Sequence, residues 1–272
     1  QLERFRAEND LDEALPVRWY RWAGDFVTGD FGNYYGPQST RPVGTEIAKA
    51  LPVSLLLVLY TQLFALLVAI PLGIWAAYRN GRWVDKILST GAYGLLSLPN
   101  FAVALLLSYF VGVKLGWVPS QGYVRITDDP IEHWKHMVIP VLALSLGQIA
   151  VYMRLLRTDL VATLREDFIL MAKAKGVSNR RVLWRHALRP SSLTLLTVAG
   201  LNVGTLIGGA IVIEYLLNIP GMGKLIGIAI GTRQYVALQS AVALIAIAFV
   251  LLNFLIDFLY RVLDPRIRER SA

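Results

Sequence analysis

Cysteine is absent from the 272 residues, histidine occurs three times, and charged side chains make up only 17% of the chain. Without cysteine there is no disulfide framework, no thiolate zinc site and no cysteine-bound iron–sulfur cluster. Soluble domains carry about 25% charged residues, and this chain falls well short of that. Apolar side chains take their place, at 55% of residues and a mean hydropathy of +0.50. The formal charge is +8, but the positive charges sit between long apolar runs. That is the pattern of membrane topology rather than of a nucleic-acid surface. The first partner implied is therefore the lipid bilayer, and no nucleic acid is expected.

Crossing the hydrocarbon core takes about 20 residues of helix. Five stretches qualify: Leu51 to Tyr78, Ile87 to Val113, Met137 to about Met153, Leu193 to Leu217, and Val236 to Tyr260. None alternates in the manner of a barrel strand, so helices must satisfy the backbone. The expected fold is all-α, a polytopic helical membrane protein with five spans present. Residues 79–86, 154–190 and 261–272 hold sixteen basic and six acidic residues, whereas the opposite loops hold eleven of each. The basic side is expected to be cytoplasmic. Residues 1–50 then lie outside, which calls for a further helix upstream of Gln1 and six spans in the native chain. The organisation read from this is an external segment (1–50) with an interfacial helix, a transmembrane domain (51–260) and a cytoplasmic tail (261–272).

In the external segment Leu15, Trp19, Trp22 and Phe26 share one helical face, with Arg18 and Arg21 elsewhere on the wheel. Such a helix lies at a membrane interface, anchored by tryptophan, or offers a landing surface to an external partner.

The loop between the third and fourth spans is the most informative part of the chain. Leu160, Leu164, Phe168 and Met171 form a stripe at helical spacing, so a helix is expected to continue out of the membrane. Gly176 ends it, and Ser178 is placed to start a second helix, with Val177 and Val182 as its hydrophobic staple. This second helix is expected to stop before Pro190. The small residues Ala172 and Ala174 beside Gly176 would let another protein approach closely. A capped helix pair is more structure than a topology signal needs, and it points to docking.

From Asp167 to Pro190 the segment Asp-Phe-Ile-Leu-Met-Ala-Lys-Ala-Lys-Gly-Val-Ser-Asn-Arg-Arg-Val-Leu-Trp-Arg-His-Ala-Leu-Arg-Pro resembles the EAA loop of membrane subunits of ATP-binding-cassette (ABC) importers. Its form resembles the dipeptide/oligopeptide permease group, B-type subunit. Four other stretches resemble the same group: Leu15 to Trp22 with Gly29 to Gly32, Ile70 to Ile74, Lys114 to Tyr123, and Glu214 with Ile219 to Gly223. The general consensus Glu and first Ala fall at Leu170 and Met171, so Ala172 and Gly176 alone match it. The downstream proline, Pro190, comes one place late.

The resemblance implies a type I (MetI-like) permease fold, with loop 158–190 coupling the membrane subunit to ATPases. Asp167, Ala172, Lys173, Ala174, Lys175, Gly176, Val177 and Arg180 are the coupling candidates. The implied partners are a homologous second permease, two cytoplasmic ABC ATPase subunits and an external substrate-binding protein. ATP and Mg would be held by the ATPases, with no cofactor in this chain and no catalytic step of its own. The implied cargo is short peptides, imported across a bacterial or archaeal cytoplasmic membrane; nickel, glutathione or haem-like cargo is the alternative within the family.

Several span residues remain as candidates for the translocation path or a gate: Pro99, Asn100, Gln148, Asn202 and Glu214. Polar groups in a membrane must face protein or water, so interhelical bonding fits each as well. Glu214 is acidic at membrane depth, but it also precedes the Pro220–Gly221 turn, where it could cap local backbone. Gly200, Gly204 and Gly208 repeat every fourth residue, a face for tight helix packing, and the resemblance points to the second permease as what packs there. Asp257 is paired with Arg261 by spacing. His133 and His136 lack further ligands for a metal. Gly223-Lys224 lacks the glycine and Ser/Thr of a P-loop. A secondary transporter would need inverted repeats and coupling carboxylates; Glu214 and Asp257 alone are present, near opposite faces, and no repeat is evident.

Overall fold

The computed structural model describes residues 13–35 and 40–263, with side chains to residue 254. The Asp257–Arg261 pair and the tail from 264 onward lie outside the described side chains. Ten helices and one two-stranded hairpin follow in order among the described residues. Helix α1 is Leu15–Thr28, and β1 (Asn33–Tyr35) pairs antiparallel with β2 (Thr40–Pro42). Then come α2 (Val43–Tyr78), α3 (Trp83–Leu96), α4 (Asn100–Leu107, continued as a π-helical stretch over Ser108–Lys114) and α5 (Pro130–Thr163). Beyond them lie α6 (Asp167–Ala174), α7 (Asn179–Arg181), α8 (Leu188–Leu216), α9 (Met222–Gly231) and α10 (Tyr235–Leu263).

Helix α5 is the axis of the molecule. In its most apolar stretch 56% of residues are buried, against 33% or fewer in the other long helices. Its N-terminus is set by Asp129, whose carboxylate accepts the N–H groups of Ile131 and Glu132, with Pro130 in the first turn. One apolar cluster, containing Ala65, Ala69, Tyr152, Leu156, Leu195 and Ala199, joins α2, α5 and α8 toward the coupling end. A second, containing Leu57, Met137, Leu144, Leu206 and Ile213, joins the same helices toward the other end. A third ties α9 and α10 to the start of α2 through Val43, Ile47, Met222 and Ala241. On α2 Ala50, Ala65, Ala69, Ala76 and Ala77 are buried, whereas Leu55, Leu59, Leu63 and Leu67 form an exposed stripe. A leucine stripe at this spacing is a surface for lipid or another membrane helix.

Among the described residues four helices are long and apolar enough to cross a membrane, and the fifth expected span is broken. Helices α3 and α4 meet at 98° across Ser97–Pro99. Pro99 offers no N–H to continue α3 and biases Leu98 toward extended backbone, so the helix ends and restarts. With 14 residues, α3 reaches about 21 Å at 1.5 Å per residue, too short to cross unaided. The expected continuous span from Ile87 to Val113 is thus corrected to a bent pair.

Three further expectations change, two at the coupling end and one at the opposite end. The helix carrying Leu160 does not run on to Met171: α5 ends at Thr163 and α6 begins at Asp167. The new helix axis turns Ile169 into the core and leaves Phe168 and Met171 exposed, so the four-residue stripe is interrupted. The second helix does not stop at Pro190 either. A π-helical stretch over Val182–Ala187 passes directly into α8. The wider π turn relocates the hydrogen-bond ladder just where Pro190 has no N–H to give. Lastly, residues 219–235, expected as a loop, contain the apolar helix α9.

Candidate coupling and translocation sites

The coupling segment is closed by backbone chemistry. Gly176 adopts φ +78°, its N–H donates to the Lys173 carbonyl, and the Val177 N–H reaches back to Ala172 at 3.2 Å. This is a Schellman C-cap, for which a left-handed glycine is the unstrained choice. Ser178 holds the N-cap position of α7 as expected, but its side chain makes no capping bond. Val177 and Val182 lie in one apolar cluster with Ile169, Ala187 and Leu160. The underside of the knob is therefore core.

Its outer surface carries the exposed candidates Asp167, Lys173, Ala174, Lys175 and Gly176. Ala172 and Val177 are half-buried and pack on the core cluster rather than facing a partner. The exposed large apolar residues are instead Phe168, Leu170 and Met171, which the sequence reading did not select as contacts. Three such side chains exposed within four positions of one short helix are a signal for docking. Arg180 stands apart from Lys173, in a groove lined by Trp75, Tyr78 and Trp184.

Inside the bundle the polar candidates divide into three sets. Asn202 on α8 lies within hydrogen-bonding reach of Tyr152, whose hydroxyl donates to Gln62 Oε1 at 3.1 Å. The Gln62 amide in turn donates to the Ala199 carbonyl. Gln62 and Tyr152 were not foreseen; a lone glutamine in a leucine-rich span was the available signal. The result is a polar junction among α2, α5 and α8. Asn100, the first residue of α4, lies over two glycines: a methyl group at Gly147 or Gly209 would meet its amide at 3.7 or 3.5 Å. Pro99 is the N-cap residue of the same helix. Gln148 keeps a buried Oε1 with no hydrogen-bond partner among the described residues, an acceptor available to a water or a passing polar group.

Glu214 is 1% exposed and holds the turn that follows it. Its Oε2 accepts the Gly223 N–H at 2.6 Å, and the Ser54 hydroxyl stands beside it while accepting the Met222 N–H at 2.8 Å. The α8 C-terminus closes through Asn218 at φ 59°, with the Ile219 N–H returning to the Glu214 carbonyl. A cavity of about 30 Å³ adjoins the carboxylate, lined by α2, α8, α9 and α10; that is room for about one or two waters. Oε1 has no hydrogen-bond partner among the described residues. Glu214 thus anchors α9 to α8, and the capping alternative of the sequence reading is the one the contacts describe.

The glycine stripe is split. Phe249 of α10 covers Gly204 so closely that a methyl group there would strike its ring unless Phe249 moved. Its packing partner among the described residues is therefore in the same chain. Gly208 faces open space, and Gly200 is half-buried on the same helix. His133 is fully buried in a ring of Tyr60, Tyr123 and Trp134, with Nδ1 at 2.7 Å from the Val124 carbonyl. No cluster of metal-ligating side chains occurs among the described residues.

A helical membrane bundle with a buttressed, apolar-faced knob at one end and polar junctions between its helices is the architecture of a transport subunit. The fold matches the MetNI methionine ABC transporter solved in inward-facing conformations, at a TM-score of 0.64, 16% identity, and 80% and 96% coverage of the two chains. Residues 69–269 match the family described as binding-protein-dependent transport system inner membrane component, and the chain belongs to that family. It is a multi-pass permease subunit of an ABC importer with the type I fold. A probable peptide ABC transporter permease of Sinorhizobium fredii is 35% identical over 98% of this chain and 85% of its own length. The glutathione transport system permease GsiC of Escherichia coli (strain K12) is 34% identical over 99% and 85%. That of Salmonella paratyphi A is 35% identical over 97% and 83%.

Proposed function

We propose that this permease imports short peptides, the tripeptide glutathione included, across a bacterial or archaeal cytoplasmic membrane. It does so with a homologous second permease, two ABC ATPases and an external binding protein. The observation that carries the coupling half of this reading is the knob of α6 and α7. Its inner face is locked into the core by Ile169, Val182 and Ala187, and its outer face exposes Phe168, Leu170 and Met171 beside Lys173 and Lys175. A rigid projection with an apolar face suits transmission of movement from a docked protein into α5 and α8, which enter and leave it. ATP and Mg belong to the partner in this reading, and the membrane chain supplies the path. The cargo assignment follows the relatives, two of them glutathione permeases and one a probable peptide permease. On this view the external segment 1–50 meets the binding protein, and Gln148 and the Gln62–Tyr152–Asn202 junction border the path.

The test is mild extraction of the chain from native membranes, mass spectrometry of what accompanies it, and ATP-dependent uptake by the reconstituted assembly. Co-purified ATPase subunits with uptake of glutathione or dipeptides support the reading. A chain that comes out alone and folded overturns the coupling half; an assembly that moves only metal chelates overturns the cargo half. The Gly176→Glu variant should assemble poorly with the ATPase, because a long anionic side chain enters the docking face at a left-handed backbone position.

A further inference from the structure

The turn between α2 and α3 is strongly basic, and its one acid is already committed. Arg79, Arg82 and Lys86 are exposed and line a cavity of about 380 Å³ with Trp83 and Gly81. Asp85, the only carboxylate within residues 79–86, is buried and bound by Arg157, the Gly81 N–H and Ser89. None of the three cations forms an ion pair among the described residues. Trp83 is 80% exposed, with the Lys86 ammonium 6.0 Å from its ring.

A second cavity of about 370 Å³ lies along the last turns of α2. It is lined by Pro71, Ile74, Trp75, Tyr78, Leu183 and Trp184 with Arg180 and Asn179 at its rim. Tyr78, which lines the apolar groove, and Arg79, which lines the basic pocket, are consecutive residues at the end of α2. Trp75, Tyr78 and Trp184 are each more than half exposed. Tryptophan and tyrosine of this kind sit at the headgroup level of a bilayer.

We infer that these two cavities together form a binding site for one anionic phospholipid, its phosphate among Arg79, Arg82 and Lys86 and an acyl chain along the Trp75–Trp184 groove. Charge complementarity selects the ligand: three uncompensated cations at a membrane edge attract an anionic headgroup, whereas a zwitterionic headgroup gains little. The apolar groove selects a lipid over free phosphate. The site spans the α2–α3 turn and the stretch that leads into α8, so an occupant would brace the base of the coupling knob. The inference rests on the chain being embedded in a membrane, and is independent of cargo and of which ATPase docks.

The experiment uses the full-length chain, with whatever subunits accompany it, equilibrated with vesicles of one part phosphatidylglycerol to four parts phosphatidylcholine. Lipid retained after mild detergent extraction is counted by native mass spectrometry. Tight retention of phosphatidylglycerol over phosphatidylcholine is expected. Arg82→Ala with Lys86→Ala should raise the half-saturating phosphatidylglycerol concentration on the order of 20-fold, and Trp184→Ala should also weaken retention. Lys114→Ala with Arg125→Ala removes the same charge elsewhere on the surface and should leave lipid retention unchanged. Equal retention in the Arg82/Lys86 variant, or no preference between the two lipids, overturns the inference. So does competition by inorganic phosphate with no effect of Trp184→Ala, which would assign the basic pocket to a soluble anion. Loss of co-purifying ATPase subunits with retention of the lipid unchanged would count against the coupling proposal and leave this site standing.

Discussion

Arg157 on α5 grips Asp85 at the start of α3 through two guanidinium nitrogens, Nε to Oδ1 and Nη2 to Oδ2 at 2.6 Å. Asp85 also accepts the Gly81 N–H at 2.9 Å and the Ser89 hydroxyl, and Arg157 reaches Asn80 as well. The pair fastens the α2–α3 turn to the central helix two turns before the coupling knob. Removing Arg157 leaves a buried charge: Asp85 is 4% exposed, and such losses cost about 3–5 kcal/mol. Arg157→Ala should therefore lower thermal stability strongly, and Asp85→Ala less, because the Arg157 side chain is 25% exposed. Because the two share one interaction, the double variant should lose much less than the sum. Additive losses in a double-mutant cycle followed by thermal unfolding would show that the two residues act separately.

Two glycines on neighbouring elements should respond in opposite ways. A methyl group at Gly223 would strike the backbone of Ile211, which cannot rotate aside, whereas one at Gly208 would meet nothing within 4 Å. Gly223→Ala should destabilise by about 1–3 kcal/mol through overpacking. Gly208→Ala should be neutral or slightly stabilising, since alanine is the better helix former by about 1 kcal/mol. Comparable melting temperatures for the two variants would contradict this account of α9 seated on α8.

How far the sequence carries is clearest at α3 and α4. Hydropathy located the apolar residues from Ile87 to Val113, and Pro99 was visible within them, but hydropathy has no term for the direction a chain takes after a break. The same limit applies at Glu214. An acid beside Pro220-Gly221 was noticed, yet its hold on the Gly223 N–H required knowing that α9 folds back against α8. At the coupling knob the αL glycine, the N-cap position and the valine pair were legible because capping is local chemistry. The exposed face was not, because helical spacing was extended through Leu164–Glu166, where the chain turns. Arg157 and Asp85 are 72 residues apart in sequence, and nothing in either neighbourhood announces the other.

Glu214 can be tested for its anchoring role directly. Glu214→Gln keeps an oxygen to accept the Gly223 N–H, and should fold with a modest loss. Glu214→Ala leaves that buried N–H without its acceptor, at about 1–3 kcal/mol, and enlarges the adjoining cavity. Loosening of α9 should then appear as faster amide exchange over Met222–Gly231. Unchanged exchange in Glu214→Ala would mean that packing by Ile219 and Met222 suffices to hold the segment.

The docking face offers a way to separate coupling from folding. Met171 is 59% exposed and Phe168 46%, so placing aspartate at Met171 costs little in the isolated subunit, where surface changes usually stay within about 0.5 kcal/mol. In an assembled transporter the same carboxylate would be buried in an apolar contact without a partner, a loss of several kcal/mol. Met171→Asp should therefore leave the melting temperature of the subunit unchanged while ATPase subunits dissociate and uptake falls at least tenfold. Gly176→Asn is the companion variant: asparagine tolerates the left-handed backbone that this position needs, so assembly and uptake should survive. If Met171→Asp transported normally, the exposed face of α6 would not be the docking surface, and contact would have to be sought on the basic side of the knob around Lys173 and Lys175.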